Sequence, residues 1–193
     1  KFGAEILAAA GAAPEAVFDG SRLSDPGAVR RLRELQPEIG ISVFFGYLLR
    51  KELLDLFPRG VINLHPALLP FNRGACPNAW SILDGTPAGA TIHAVDEGID
   101  TGDILARREV PAEPIDTAET LYRKLEKACI ELFADAWPAI RVGAAVRQPQ
   151  PPSSGTFHRV RDLEELAEID PEQSYPAGRL LDLIRAQSFP PYR

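Results

Sequence analysis

Val61-Ile62-Asn63-Leu64-His65-Pro66-Ala67-Leu68-Leu69-Pro70 decides how this chain of 193 residues is read. Its first five residues have strand character, turn polar at their end, and are stopped by Pro66. The run reads as a buried strand that has left the core by its last residue. Side chains alternate along a strand, so Asn63 and His65 share a face. The chain then stays irregular to Pro77, through three prolines and Gly74. Long loops inside compact domains tend to be functional.

On the N-terminal side, alanine and leucine predict a helix over 4–12. Ala16-Val17-Phe18 predicts a short strand before the Asp19-Gly20 turn. A second helix is capped by Ser24 or Asp25, opens with Pro26, and repeats Val29, Leu32 and Leu35. A strand over 39–45 and a helix over 50–57 lead up to Val61. On the C-terminal side come a helix over 78–83, a strand over 90–95, an acidic glycine loop over 96–103, and a strand over 104–110. The longest helix starts near Asp116-Thr117 and carries Leu121, Leu125, Ala128, Leu132 and Phe133 as its apolar stripe. Strands alternating with helices predict an α/β fold, a Rossmann-like and mostly parallel sheet flanked by helices. Residues 1–145 form the main domain, 146–155 a proline-rich linker, and 156–193 a C-terminal extension that ends too abruptly to be complete.

Apolar residues make up 45% and charged residues 25%, which excludes a disordered chain. Acids number 27 against 21 lysines and arginines, and this lack of a basic footprint disfavours nucleic acid. No apolar run nears the ~18 residues of a membrane span, and no signal peptide opens the chain. Cys76 and Cys129 make no disulfide framework, so a cytoplasmic protein is expected.

In open α/β sheets, ligands bind beyond the carboxyl ends of the strands. Asn63 and His65 sit at such an end, and the loop Asp96-Glu97-Gly98-Ile99-Asp100-Thr101-Gly102-Asp103 follows another strand. A lone histidine there is more simply a satisfied edge residue. If the two strands are neighbours, an amide, an imidazole and a carboxylate converge. Such a trio suits acyl transfer. Asn63 and a protonated His65 can donate to an oxyanion while a base takes the proton of an attacking amine. A carboxylate beside His65 is expected to raise its pKa.

Other chemistries find less support. A calcium loop starting at Asp96 would need Glu where Arg107 stands. His65, His93 and Asp100 lack metal-ligand spacing, so no metal is expected. No Gly-x-Gly-x-x-Gly supports a dinucleotide. His93, mid-strand, reads as a structural hydrogen-bonder and Cys129 as core. Nothing beside Cys76 in sequence would activate a thiolate.

Residues 61–70, with Arg73-Gly74 and Pro77, resemble a signature of the formyltransferases that use 10-formyltetrahydrofolate. Gly89-Ala90-Thr91-Ile92-His93 through Asp100-Thr101-Gly102-Asp103-Ile104 resembles that family's second signature, in order and at the expected separation. The likeness covers residues 18–110 and, more weakly, the long helix. It implies the formyltransferase fold, 10-formyltetrahydrofolate as formyl donor, and Asn63, His65 and Asp100 as the catalytic trio. It also implies that backbone of Tyr47, Leu48 and Leu49, and of Val95, Asp96 and Glu97, binds the folate's pterin. Two departures stand out. Ala67 replaces a serine common in the family, and the family's opening strand–helix–strand has no counterpart before Lys1. The absence of any methionine agrees with a truncated N-terminus.

Pro77-Asn78-Ala79-Trp80 resembles the sugar N-formyltransferase subgroup, as do Gly155-Thr156-Phe157-His158-Arg159 and the stretch 183–191. The expected acceptor is thus the amine of a nucleotide-linked amino sugar, bound by Arg73, Asn78 and Trp80. The expected partners are these small molecules, with no nucleic acid or membrane and with a homodimer left open. Trp80 either stacks on a sugar or base or fills the core. Arg73 or Arg185 can meet a diphosphate bidentately, although Arg185 also reads as a solvated helix residue. The alternatives are formylation of methionyl-tRNA or a carrier-bound amino acid, and a non-catalytic folate- or nucleotide-binding protein.

Overall fold

In the computed structural model, the alanine- and leucine-rich start forms helix α1 (Gly3–Ala10). The structure describes residues 3–151 and 153–190. Lys1, Phe2, the linker residue Pro152 and the tail residue Pro191 lie outside the described residues. The chain divides into two compact units, residues 1–40 with 45–61, and residues 41–44 with 62–193.

The first unit holds α1, α2 (Pro26–Glu34) and α3 (Lys51–Leu54). Pro26 takes the first helical position, where its missing N–H costs nothing. Asp25 is the N-cap residue, but its carboxylate accepts from Arg22 Nε at 2.9 Å instead of capping. The strand expected at Ala16-Val17-Phe18 does not form. Pro14 opens a 3-10 turn, and the Val17 N–H donates back to the Pro14 carbonyl at 3.2 Å, so the donor a strand ladder needs is already taken.

The sheet belongs to the second unit. Its strands β1 (Gly40–Val43), β2 (Val61–His65), β4 (Ala88–Ala94) and β5 (Ile104–Val110) lie in the order β1-β2-β4-β5. Between β2 and β4 come β3 (Arg73–Gly74) and α4 (Pro77–Leu83). β1 is shorter than expected because Phe44 turns to φ +47, outside the strand region. The expected α/β layering is present, with helices packed on a sheet. From β2 onward, neighbouring strands run antiparallel. After β2, the proline loop and α4 return the chain to the end of the sheet it has just left, so β4 must run back along β2.

Helix α5 (Ala118–Arg141) packs on β4 and β5. Thr117 and Thr120 cap it reciprocally, each hydroxyl accepting from the other's backbone N–H. Leu121 and Leu125 are fully buried, each stabilising the fold by roughly 1.5–3 kcal/mol. Last come β6 (Phe157–His158), α6 (Val160–Glu164) and α7 (Ala177–Gln187). These segments are bound into the second unit. β6 pairs in parallel with β3, and α7 packs on α4. The Thr156 N–H donates to the Pro70 carbonyl, the Arg73 N–H to the Thr156 carbonyl, and the Ala75 N–H to the His158 carbonyl. Residues 148–151 and 153–158 therefore form a strap across the irregular loop. Among the described residues, no helix is long and apolar enough to cross a membrane.

Two left-handed glycines separate backbone strain from crowding. Gly143 has φ +75 and open space where a Cβ would go. Gly155 has φ +87, and a Cβ there would run into the Pro70 carbonyl oxygen. Gly143→Ala should cost about 1 kcal/mol, the strain alone. Gly155→Ala should cost at least about 3 kcal/mol, because the strap must also lift from the loop. Urea unfolding of the two variants checks this, and equal costs would show that the strap does not press on Pro70.

Candidate active site

The alternation of β2 places Asn63 and His65 on one face, and the antiparallel register sets His93 opposite Asn63 and Thr91 opposite His65. Between Ile92 and His93 the β4–β5 register slips, leaving Leu105 as an extra residue on β5. Such bulges re-aim side chains beside functional sites. Because β4 runs antiparallel to β2, the 95–103 loop leaves the sheet at the end opposite the proline loop. It folds back over the sheet face to deliver Asp100. The expected convergence of Asn63, His65 and Asp100 is thus found over one face of the sheet.

Asp100 is the hub. Its side chain is 13% exposed and its backbone is left-handed, φ +55. Oδ2 accepts from the Gly74 N–H at 2.8 Å and lies 3.7 Å from His65 Nε2. Oδ1 accepts from Asn63 Nδ2 at 3.4 Å and lies 3.3 Å from His93 Nε2. Burial by itself would raise this carboxyl's pKa. The His93 hydrogen bond, the nearby His65 ring and the Gly74 N–H outweigh it and bring the pKa to about 2. Asp100 therefore carries its charge throughout the physiological range.

The two histidines differ in tautomer. His65 Nε2 lies 3.1 Å from the Asn72 carbonyl, which only accepts, so Nε2 bears the proton. His93 Nδ1 lies 2.8 Å from the Ala94 carbonyl, so there the proton is on Nδ1. His93 Nε2 faces Asn63 Nδ2 at 3.2 Å and Asp100 Oδ1 at 3.3 Å. Asp100 pulls the pKa of His65 upward as expected, yet the net shift is downward. Desolvation of the buried ring lowers it and exceeds the opposing pull of Asp100 and the Asn72 carbonyl. His65 is a neutral imidazole at neutral pH.

The remaining predicted residues are placed as follows. Arg73 is buried and donates to Gln150 Oε1 and to the Ser154 carbonyl, so its guanidinium is engaged within the protein. Asn78 is buried, donating to the Ala118 carbonyl at 2.8 Å. Trp80 is 6% exposed and stacks on His158 with ring centroids 3.8 Å apart, which is the core alternative. Its indole N–H has no hydrogen-bond partner among the described residues. His158 in turn lies 3.1 Å from Asp84. Tyr47 and Leu48 are 57% and 70% exposed, and Leu49 is half-buried. Val95 is half-buried, and Asp96 and Glu97 are exposed. Among the described residues, no group of three or more His, Cys, Asp or Glu could hold a metal ion.

Sequence reasoning missed two residues at this site. His93 read as structural because its neighbours in space depend on strand register and a bulge, which are non-local. Its place opposite Asn63 becomes visible once β4 is taken as antiparallel. Gln150 was hidden in a proline-rich stretch that read as a linker.

The pKa shifts set a pH dependence of stability. Folded His65 sits below its ordinary 6.5, so the unfolded chain binds the extra proton. The contribution of the neutral ring is whole above about pH 6.5 and is lost as the pH falls below it. Asp100 drops from 3.8 to about 2. Its contribution, about 2 kcal/mol, is whole above its unfolded pKa and lost as the pH falls through the folded one. Urea midpoints measured from neutral pH downward should therefore fall in two steps. A His65→Asn variant should lose the first step. An unchanged first step in that variant would remove His65 as its source.

Two family models match the chain: formyl transferase over residues 5–136, and the N-formyltransferase dimerization C-terminal domain over residues 162–193. The methionyl-tRNA formyltransferase of Anaeromyxobacter dehalogenans is 37% identical over 171 residues, 88% of this chain and 54% of that protein. The chain thus spans about half the length of the curated relatives it matches. Among solved structures, a 4-N formyltransferase from Francisella tularensis superposes with a TM-score of 0.78 at 30% identity, covering 91% of this chain and 69% of that one. The formyltransferase PseJ from Anoxybacillus kamchatkensis was solved with UDP-4,6-dideoxy-4-formamido-L-AltNAc and tetrahydrofolate. It superposes with a TM-score of 0.63 at 40% identity, covering 66% of this chain and 67% of that one. With the first model matching well over half of its residues, this chain belongs to the formyl transferase family.

Proposed function

We propose that the protein is an N-formyltransferase that moves a formyl group from 10-formyltetrahydrofolate to the amine of a nucleotide-linked amino sugar. The carrying observation is the meeting of an amide, an imidazole and a carboxylate on one sheet face, at Asn63, His65 and Asp100.

Each group has a role that its geometry supports. The acceptor amine adds to the formyl carbon, and the carbonyl oxygen becomes an oxyanion. Asn63 Nδ2 is one donor that stabilises it, and the His65 N–H becomes a second by exchanging the Asn72 carbonyl for the oxyanion. The attacking nitrogen turns positive, and the Asp100 carboxylate stabilises that charge. A carboxyl with a pKa of about 2 is too weak a base to keep the proton, so it passes the proton on through water. The intermediate collapses by breaking the carbon–N10 bond, and N10 takes a proton. The net exchange is one N–H and one C–N bond on each side.

We assign the donor's pterin to the backbone of Val95, Asp96 and Glu97, which lead into Asp100, and by the family resemblance to Tyr47, Leu48 and Leu49. Arg73, Asn78 and Trp80 shape the acceptor side from within the protein. The reading also places the protein in the cytoplasm. A homodimer would form through residues 162–193, where Leu181 and Ile184 of α7 are exposed. The sugar acceptor is supported by the solved relatives, PseJ among them with its bound sugar nucleotide. The second reading, methionyl-tRNA, is supported by the identity to curated tRNA formyltransferases.

The test is turnover of the full-length protein with 10-formyltetrahydrofolate and a panel of acceptors. The panel holds thymidine- and uridine-diphosphate amino sugars and methionyl-tRNA, with product read by mass. Transfer to one sugar nucleotide is expected. Transfer to tRNA alone would replace the sugar reading, and no transfer to any acceptor would overturn both. Asn63→Ala, His65→Ala and Asp100→Ala should each lower turnover at least ~100-fold. Near-normal turnover in His65→Ala would remove it from the site.

A further inference from the structure

Gln150 and Arg73 close a circuit around Asp100. The Gln150 amide donates from Nε2 to the carbonyls of Asp100 at 3.0 Å and Gly102 at 2.7 Å. Its Oε1 accepts from Arg73 Nη2 at 2.8 Å and Nε at 3.2 Å. Arg73 only donates, so the amide can face it only with its oxygen, and the amide's orientation follows. Arg73 Nη1 is in turn held by the Ser154 carbonyl at 3.2 Å. The circuit closes through the chain, because Gly74, next to Arg73, donates its N–H to the Asp100 carboxylate.

The chemistry at this position demands a glutamine. Two carbonyls need donors while an arginine needs an acceptor, and only a side-chain amide offers both. Asp100 also needs such a hold. A left-handed aspartate persists only when its surroundings over-determine it. Gln150 fixes the carbonyl end of Asp100, and Gly74 fixes its carboxylate.

We propose that Gln150 and Arg73 are positioning residues, which aim the Asp100 carboxylate at Asn63 and His65 without touching either substrate. Arg73 then acts on the reaction through Gln150 rather than through a diphosphate. The kinetic part of this inference rests on the formyl-transfer reading; the geometric part does not.

Two variants of the full-length protein test it. Gln150→Glu keeps the acceptor for Arg73 but sets a carboxylate against two carbonyl oxygens. Gln150→Leu removes both halves. In each, the Gly74 amide should exchange hydrogen at least ~10-fold faster, while the amides of α5 stay as protected as before. Where the wild type transfers formyl, kcat should fall roughly 10- to 100-fold. KM for donor and acceptor should stay within about twofold. The acid limb of the kcat profile should move to higher pH as Asp100 loses its donor. A Gly74 amide that stays protected in folded variants overturns the inference, as does a loss confined to KM. If Gln150→Leu does not fold, the isosteric Gln150→Glu decides. If the wild type transfers no formyl, the functional reading fails, and Gly74 exchange alone settles whether Gln150 positions Asp100.

Discussion

A carboxylate largely removed from water keeps its charge only where donors meet it, and Asp100 is in that position. Without its partners the buried group would take up a proton and could no longer stabilise a positive charge. Gly74, Asn63, His93 and His65 surround its two oxygens. Each of these partners requires a structural device to be present. Gly74 belongs to a two-residue strand, Asn63 and His65 to alternate positions of β2, and His93 to a bulged stretch of β4.

The same constraint explains the irregular loop. Residues 66–72 follow a path that ordinary secondary structure cannot hold. They are fixed instead by buried side chains acting on backbone. Thr91 donates to the Ala67 carbonyl and accepts from the Leu69 N–H. Asn72 is left-handed at φ +57, and its side chain donates to Ser81 and Thr86. Its own carbonyl is thereby presented to His65, which sets the tautomer of that ring. An uncharged polar network thus decides which nitrogen of His65 carries a proton.

The legibility of this chain in its sequence followed the range of the interactions involved. β2 and β5 run over the residues expected, because glycine and proline bound their apolar runs locally. The long helix begins after Thr117, whose hydroxyl cap is a local signal. That Asn63, His65 and Asp100 come together was legible because two sequence signatures carry them. His93 was not, since its role depends on register and on a bulge between strands. Nor was the Arg73–Gln150 pair, whose members lie 77 residues apart in the chain. β3 and β6 are two residues each, too short to show any periodicity. The strand expected at Ala16-Val17-Phe18 failed for the opposite reason, as a local proline turn overrode strand propensity.

The strap has a consequence for how this architecture can be recombined. In sequence the strap looks like a hinge between exchangeable parts, yet Gln148 pairs with Ile104, Thr156 with Asn72 and His158 with Ala75. A crossover placed anywhere in that stretch would graft one lineage's strap onto another's loop, and the two would no longer match in hydrogen bonding. Chains that trade C-terminal segments must therefore inherit the strap together with the sheet. The exposed segment between α6 and α7, by contrast, makes no hydrogen bond to Asp100 or to the loop that holds it among those described.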